Sequence, residues 1–156
     1  MVNSLNNVEK IKKEVQRFFE KAGFPIEAEV KSLEENTFSI NLTIEEPRIL
    51  IGERGQTLAD IQHLLKLILR KKITNDQPFY IDLDINDYKK KKIEYLKELA
   101  KSAADEVSLS KKEKELLPMP AYERRIIHLE LAARGDVVSE SIGQEPERKV
   151  VIRPCP

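Results

Sequence analysis

The hydrophobic period of this chain changes at Ile26, and that change restricts the folds open to it more than any other feature. Upstream, Val8, Ile11, Val15, Phe18, Phe19 and Ala22 recur every three or four residues, which is the spacing of one helix face. Asn6 followed by Glu9 has the form of a capping box, and Gly23 and Pro25 close the run, so a helix is expected over about 7 to 22. From Ile26 the period is two. Ile26, Ala28 and Val30 alternate with charged residues, and beyond Glu34, Glu35 and Asn36 the residues Phe38, Ile40, Leu42 and Ile44 alternate with polar ones. Two such runs predict an antiparallel hairpin with one buried face, against which the helix packs.

Further along, Pro47 starts a short helical turn over 48 to 51, interrupted by Gly52-Glu53-Arg54-Gly55. The next helix carries Leu58, Ile61, Leu65 and Ile68 on one face and ends in Arg70, Lys71 and Lys72, where positive charge suits the helix dipole. Phe79, Ile81 and Leu83 mark a third strand. Asn86 is expected to cap a long charged helix with Tyr88, Leu96, Leu99, Ala103 and Val107 as its stripe, and residues 108 to 115 form a loop or weak edge strand. Pro118-Met119-Pro120 leads into another helix, with Pro120 near its first position, Tyr122, Ile126, Leu129 and Ala133 as its buried face and Gly135 as its stop. Residues 137 to 142 and 149 to 153 form a hairpin around 143 to 146. The class is α+β, with a domain over 1–85 of order helix, strand, strand, helix, helix, strand, and a second domain over 86–156.

Charge narrows the functional classes. Among 156 residues, 27 Lys and Arg balance 27 Asp and Glu, which excludes a binder that grips polyanions by bulk charge. The balance is segregated. Residues 48 to 72 hold six basic side chains (Arg48, Arg54, Lys66, Arg70, Lys71, Lys72) against Glu53 and Asp60, whereas residues 20 to 47 hold seven Glu against Lys21 and Lys31. No apolar stretch is long enough for a signal peptide or a membrane span, so a cytoplasmic protein without membrane insertion is expected. A single Cys155 excludes an internal disulfide and a cysteine metal cluster, and no cofactor or metal is expected. Asp82, Asp84, Asn86 and Asp87 begin like a calcium loop, but Asp87 and Ile93 stand where such a loop needs Gly and Glu. His63 and His128 are the only histidines, with no HExxH and no phosphate-binding GxxxxGK[ST]. The run Lys89 to Lys92 reads as a solvated helix face.

Two constellations carry chemistry. Gly52 and Gly55 let backbone approach a sugar-phosphate chain, and the helix that follows offers free amides and a partial positive charge. A GxxG loop of this kind clamps about four nucleotides in KH domains, although a bare GxxG could equally be a turn joining two helices. In the second constellation, Arg124 and His128 stand at i and i+4 on one helix face. An Arg can fork onto phosphate while an imidazole donates a hydrogen bond or stacks; a surface Arg beside a half-buried His is the plainer reading of the same pair. Arg125, Arg148, Lys149 and Arg153 join the candidates by charge and proximity.

With GERG between two helices, then PMPAYERRIIHLELA and EPERKVVIRP, nearly the whole chain resembles the Jag family, the SpoIIIJ-associated bacterial RNA-binding proteins. These join a type II KH domain to an R-three-H domain named for its Arg-x-x-x-His. The resemblance implies that Gly52, Glu53, Arg54 and Gly55 form the nucleotide-clamping loop and that Arg124 and His128 are the signature pair of the second domain. It further implies a non-catalytic post-transcriptional regulator linked to envelope growth and cell shape, binding single-stranded RNA or DNA and working with a small single-KH partner protein. The family's small domain ahead of the KH unit is expected to be missing, since the first helix starts within about seven residues of Met1. Glu53 opposes a phosphate, and Arg54 with the helix amides compensates. The rival expectation is an interaction adaptor whose KH surface pairs with another KH domain. A third is a nuclease with His128 as acid or base, which lacks a visible carboxylate cluster.

Overall fold

The computed structural model describes residues 2–73 and 77–156 and divides into two compact units, one ending at Lys89 and the other beginning at Lys90. In the first, α1 (Val2–Lys21) precedes β1 (Glu27–Glu34), β2 (Thr37–Thr43), α2 (Arg48–Ile51), one 3-10 turn (Glu53–Gly55), α3 (Gln56–Ile73) and β3 (Tyr80–Ile85). The order is the KH-like one expected. β2 is the central strand, antiparallel to β1 and parallel to β3. A parallel pair needs a crossover, and α2, the turn and α3 supply it. The GERG residues therefore sit within the crossover connection itself. Ile11, Val15 and Phe19 of α1 are buried with Phe38, Ile40 and Leu42 of β2 and Leu58, Leu65 and Leu69 of α3. Each fully buried Phe or Leu contributes on the order of 1.5–3 kcal/mol.

Two local readings change. The first helix starts at Val2, so Asn6 and Glu9 lie inside it and do not cap it; no Gly or Pro interrupts the chain between Val2 and Asn6. Asn86 does not cap the long helix either. It has φ 50° and its amide grips Ile44, accepting from Ile44 N at 3.0 Å and donating to Ile44 O at 2.8 Å. Asp84 does the capping, its carboxylate accepting from the Lys89 amide at 3.2 Å. Asn86 is fully occupied in locking the end of β2 to the end of β3.

The second unit contains most of α4 (Tyr88–Ser110), then β4 (Lys114–Glu115), α5 (Ala121–Leu131), β5 (Val137–Ile142) and β6 (Lys149–Pro154), with sheet order β4-β6-β5, all antiparallel. Residues 108 to 110 belong to α4, which ends at Ser110 just before Lys111 with φ 57°, and only the two residues of β4 pair along the sheet edge. Leu96, Ala100, Ala103, Ala104 and Val107 of α4 pack with Ile127 and Leu131 of α5 and with Val137, Val150 and Ile152.

The expected buried face of α5 holds at Ile126, which packs partly buried against the core, and is corrected at its other three positions. Tyr122 and Leu129 are each 65% exposed and Ala133 is exposed, while Arg124, Ile127 and Leu131 point inward. Both sets have helical spacing. The inward set wins because the fold gives the Arg124 guanidinium two acceptors, so a charged residue can occupy a core position.

Candidate nucleic-acid interface

The GERG segment is a turn held by backbone conformations that few residues adopt. Gly52 has φ 72° and ψ −175°, Arg54 φ 54° and ψ 23°, and Gly55 φ 79°. A Cβ on Gly52 would lie 2.0 Å from Thr57 Oγ1 and 2.7 Å from Thr57 Cβ; one on Gly55 would lie 3.1 Å from Tyr88 Cε1. Gly52 is thus required both by its dihedrals and by close packing against the first turn of α3. The Gly52 amide donates to Arg48 O at 2.9 Å, which ties the turn to α2. Glu53 and Arg54, between the glycines, are exposed. Arg54 makes no ion pair among the described residues, so the turn presents a free guanidinium at the entry to α3. No acidic residue in the first turn of α3 offsets its amides.

The surrounding positive charge is thinner than the composition implied. Lys72 pairs with Glu14 of α1 at 2.5 Å, and Lys66 lies over the Tyr80 ring at 5.0 Å. Arg48, Arg54 and Lys71 remain exposed. In the four-lysine run, Lys89 is drawn in, its ammonium donating to Asp82 at 2.5 Å and to Gln62 at 3.1 Å, and Lys92 pairs with Glu123 at 3.6 Å. The first and last members are therefore structural, unlike a purely solvated face.

In the second unit, Arg124 and His128 do lie along one side of α5, but Arg124 is only 7% exposed and its fork is engaged. One arm donates to Met119 O at 2.6 Å and another meets the Glu145 carboxylate at 2.7 Å. His128 is half-buried, with Nδ1 2.8 Å from Ser139 Oγ of β5. Arg125 is exposed and makes no ion pair among the described residues. Arg148 donates to the neutral Ser141 hydroxyl at 2.9 Å, whereas Lys149 pairs with Glu115 and Arg153 bridges Glu113 and Glu140. A shallow hollow of about 460 Å³ opens beside α5, lined by Arg124, Arg125, His128, Leu129 and Ser141 among others. Exposed Tyr122 and Leu129 flank Arg125 at i−3 and i+4. Sequence reasoning missed Glu145, Ser139, Ser141 and Tyr122 as parts of this site. Tyr122 alone left a signal, as an aromatic one turn before the Arg pair.

Burial, and then the nearby Arg124 charge, holds the His128 imidazole below its ordinary value of 6.5. The ring is neutral at pH 7 and exchanges single hydrogen bonds without adding a cation. Because the unfolded chain then binds more protons in acid, the stability tied to His128 is complete above the unfolded pKa. It is lost as pH falls from there through the lower folded value. A proton NMR titration of the His128 ring is expected to show a midpoint below that of a free histidine. Denaturant midpoints should fall with acid more steeply in the wild type than in His128→Gln; equal slopes would contradict the assignment.

Comparisons with known proteins fall on the same residues. The R-three-H domain family matches residues 94–154, which include α5 and the β5–β6 hairpin. The RNA-binding protein KhpB of Clostridium symbiosum is 40% identical over 118 residues, spanning 76% of this chain and 52% of that protein. KhpB of Bacillus subtilis is 36% identical over 118 residues, spanning 74% and 56%, and KhpB of Lactiplantibacillus plantarum is 34% identical over 114 residues, spanning 73% and 35%. The chain thus spans about half, or less, of the length of these curated relatives. Residues 94–154 thus match the R-three-H domain, and across about three quarters of its residues the chain is similar, at 34–40% identity, to the KhpB RNA-binding proteins.

Proposed function

We propose that this chain binds single-stranded RNA without catalysing a reaction, through a KH unit over 1–85 and an R-three-H unit over 86–156. The observation that carries the proposal is the GERG turn, which holds a free Arg54 at the amide end of α3 and removes side chains at Gly52 and Gly55. In this reading Arg54 and the α3 amides take phosphate, and Glu53 points its charge to solvent. In the second unit, Arg125 of α5 and Arg148 just before β6 take phosphate, His128 exchanges a hydrogen bond, and Tyr122 offers a face for a base to stack on. Lys149 adds charge at the margin while held by Glu115. Arg124 acts from beneath by fixing α5 against the hairpin. Two weak sites on one chain gain by effective concentration when one strand reaches both. The names of the curated relatives support the ligand class. The setting proposed is the cytoplasm, in post-transcriptional control of envelope growth and cell shape, with a small single-KH partner protein.

Fluorescence anisotropy with a labelled single-stranded RNA of about a dozen nucleotides across a salt series tests this, with single-stranded DNA as the comparison. Each phosphate contact removed should flatten the dependence of log affinity on log salt by about 0.7. Arg54→Glu and Arg125→Glu are each expected to weaken binding at least tenfold and to flatten that slope. Salt-insensitive binding, or two variants that bind as the wild type does, would overturn the reading.

A second reading has its own observation. Leu64, Leu67 and Tyr80 of α3 and β3 are exposed apolar residues on the first unit, as an adaptor that pairs KH surfaces would need. The outward amide of Leu83 on edge strand β3 is already taken by Gln62 Oε1 at 3.0 Å, so such pairing would proceed by side-chain contact and not by adding a strand at that point. Sedimentation of Leu67→Asp beside the wild type separates the two: a loss of self-association with RNA affinity intact favours the adaptor.

A further inference from the structure

A hollow in the first unit belongs to neither RNA site. Its volume is about 690 Å³, in the range of ligand-binding clefts. Phe24, Ile26, Ile44 and Ile49 give it an apolar lining, and Glu27, Glu45 and Glu46 stand around it. Phe24, Ile26 and Ile44 pack on the core, so these walls are anchored from behind, while Ile49 is 66% exposed. The walls are also fixed by hydrogen bonds. The Phe24 amide donates to Phe19 O at 2.9 Å, and the Asn86 side chain holds both the amide and the carbonyl of Ile44. Glu27 lies opposite Thr43 in the β1–β2 register, closing one side.

None of the three carboxylates has a cationic partner among the described residues. That excess of negative charge turns away phosphates, which makes the hollow a poor continuation of an RNA path. It matches instead a ligand that brings an apolar side chain into the cleft and positive charge to the rim. We infer that this hollow is a docking site for a short basic segment of a partner protein, one with a bulky apolar residue flanked by Lys or Arg. The bulky side chain fills the space between Ile26, Ile44 and Ile49, and the flanking cations pair with Glu27, Glu45 and Glu46. The acidic block of residues 20 to 47, set against the basic block of 48 to 72, then has a purpose: one recruits polypeptide and the other RNA.

The test uses the full chain and three fluorescein-labelled hexapeptides, KLKKLK, KSKKSK and ELEELE, read by anisotropy. KLKKLK is expected to bind saturably and at least tenfold more tightly than KSKKSK, with no binding of ELEELE. Glu45→Gln with Glu46→Gln, both exposed, should weaken KLKKLK at least tenfold and leave circular dichroism melting unchanged. A saturating single-stranded RNA should leave the peptide bound. Equal binding of KSKKSK, retained binding by the double variant, or no binding of KLKKLK overturns the proposal. Displacement by RNA would assign the hollow to the RNA path, and a dimer in sedimentation that the double variant abolishes would assign it to a second copy of the chain. Both outcomes overturn it as well. RNA affinity measured in the same samples keeps its failure distinct from failure of the RNA-binding reading.

Discussion

Gly52→Ala is expected to destabilise the first unit by about 3–5 kcal/mol and to abolish the RNA binding proposed for the GERG turn even in molecules that remain folded. Two effects add. The backbone at φ 72° and ψ −175° belongs to a region that is almost exclusive to glycine, worth about 1–3 kcal/mol for another residue. A methyl there would also sit 2.0 Å from Thr57 Oγ1, 2.7 Å from Thr57 Cβ and 3.0 Å from the Thr57 amide nitrogen, so moving the hydroxyl alone cannot relieve it. The first turn of α3 must shift, and with it the amides proposed to take phosphate.

Gly23→Ala isolates the dihedral part. Gly23 has φ 84° and open space where its Cβ would go, so its cost should be about 1–2 kcal/mol. Gly55→Ala belongs between them, since the Tyr88 ring 3.1 Å away can give by a few tenths of an ångström. Denaturation followed by amide signals of the first unit should rank the losses Gly52, Gly55, Gly23. If Gly52→Ala costs no more than Gly23→Ala, the turn is looser than described. Thr57→Gly in the Gly52→Ala background should recover only the part of the steric cost that comes from the Thr57 side chain.

How much of this was legible in the sequence depends on which physical term decides each feature. The period change at Ile26 and the alternation at Phe38, Ile40 and Leu42 placed the first strands, because burial of one face leaves a direct trace in residue order. The glycines of GERG were legible as backbone requirements, but the Thr57 contact that makes Gly52 irreplaceable was not. It depends on the direction in which α3 leaves the turn. Charge counting misjudged the basic surface for a similar reason. Lys72 meets Glu14 across 58 residues of chain, Lys149 meets Glu115 across 34 and Arg153 meets Glu113 across 40, pairings that no local window contains. The α5 face was misassigned at Tyr122 and Leu129, though not at Ile126, because both look more apolar than Arg124. Satisfying the guanidinium reverses that order, and its acceptors come from the loop before α5 and the turn after β5.

The reversal makes Arg124→Ala the second large effect. The guanidinium gives the Met119 carbonyl, in a residue that is itself buried, a charged donor at 2.6 Å, and ties α5 to Glu145 at 2.7 Å. Deleting it leaves that carbonyl without its partner and removes the aliphatic stem from the core, a loss of about 2–3 kcal/mol to the second unit. Glu145 is 57% exposed and rehydrates once freed, so Glu145→Gln should cost less than about 1 kcal/mol. Arg124→Lys should fall between, because a single ammonium cannot reproduce a planar fork that reaches two acceptors. The ranking separates two roles for the signature arginine. If Arg124 positions α5, RNA affinity should track second-unit stability across Ala, Lys and the Glu145 variant, and Glu145→Gln should leave RNA affinity close to wild type. If Arg124 grips phosphate directly, Glu145 competes for the same arm, and Glu145→Gln should tighten RNA binding several-fold. The burial of Arg124 and its two-acceptor geometry predict the first outcome, with Arg125, one residue along and facing solvent, as the residue whose loss weakens RNA binding without weakening the fold.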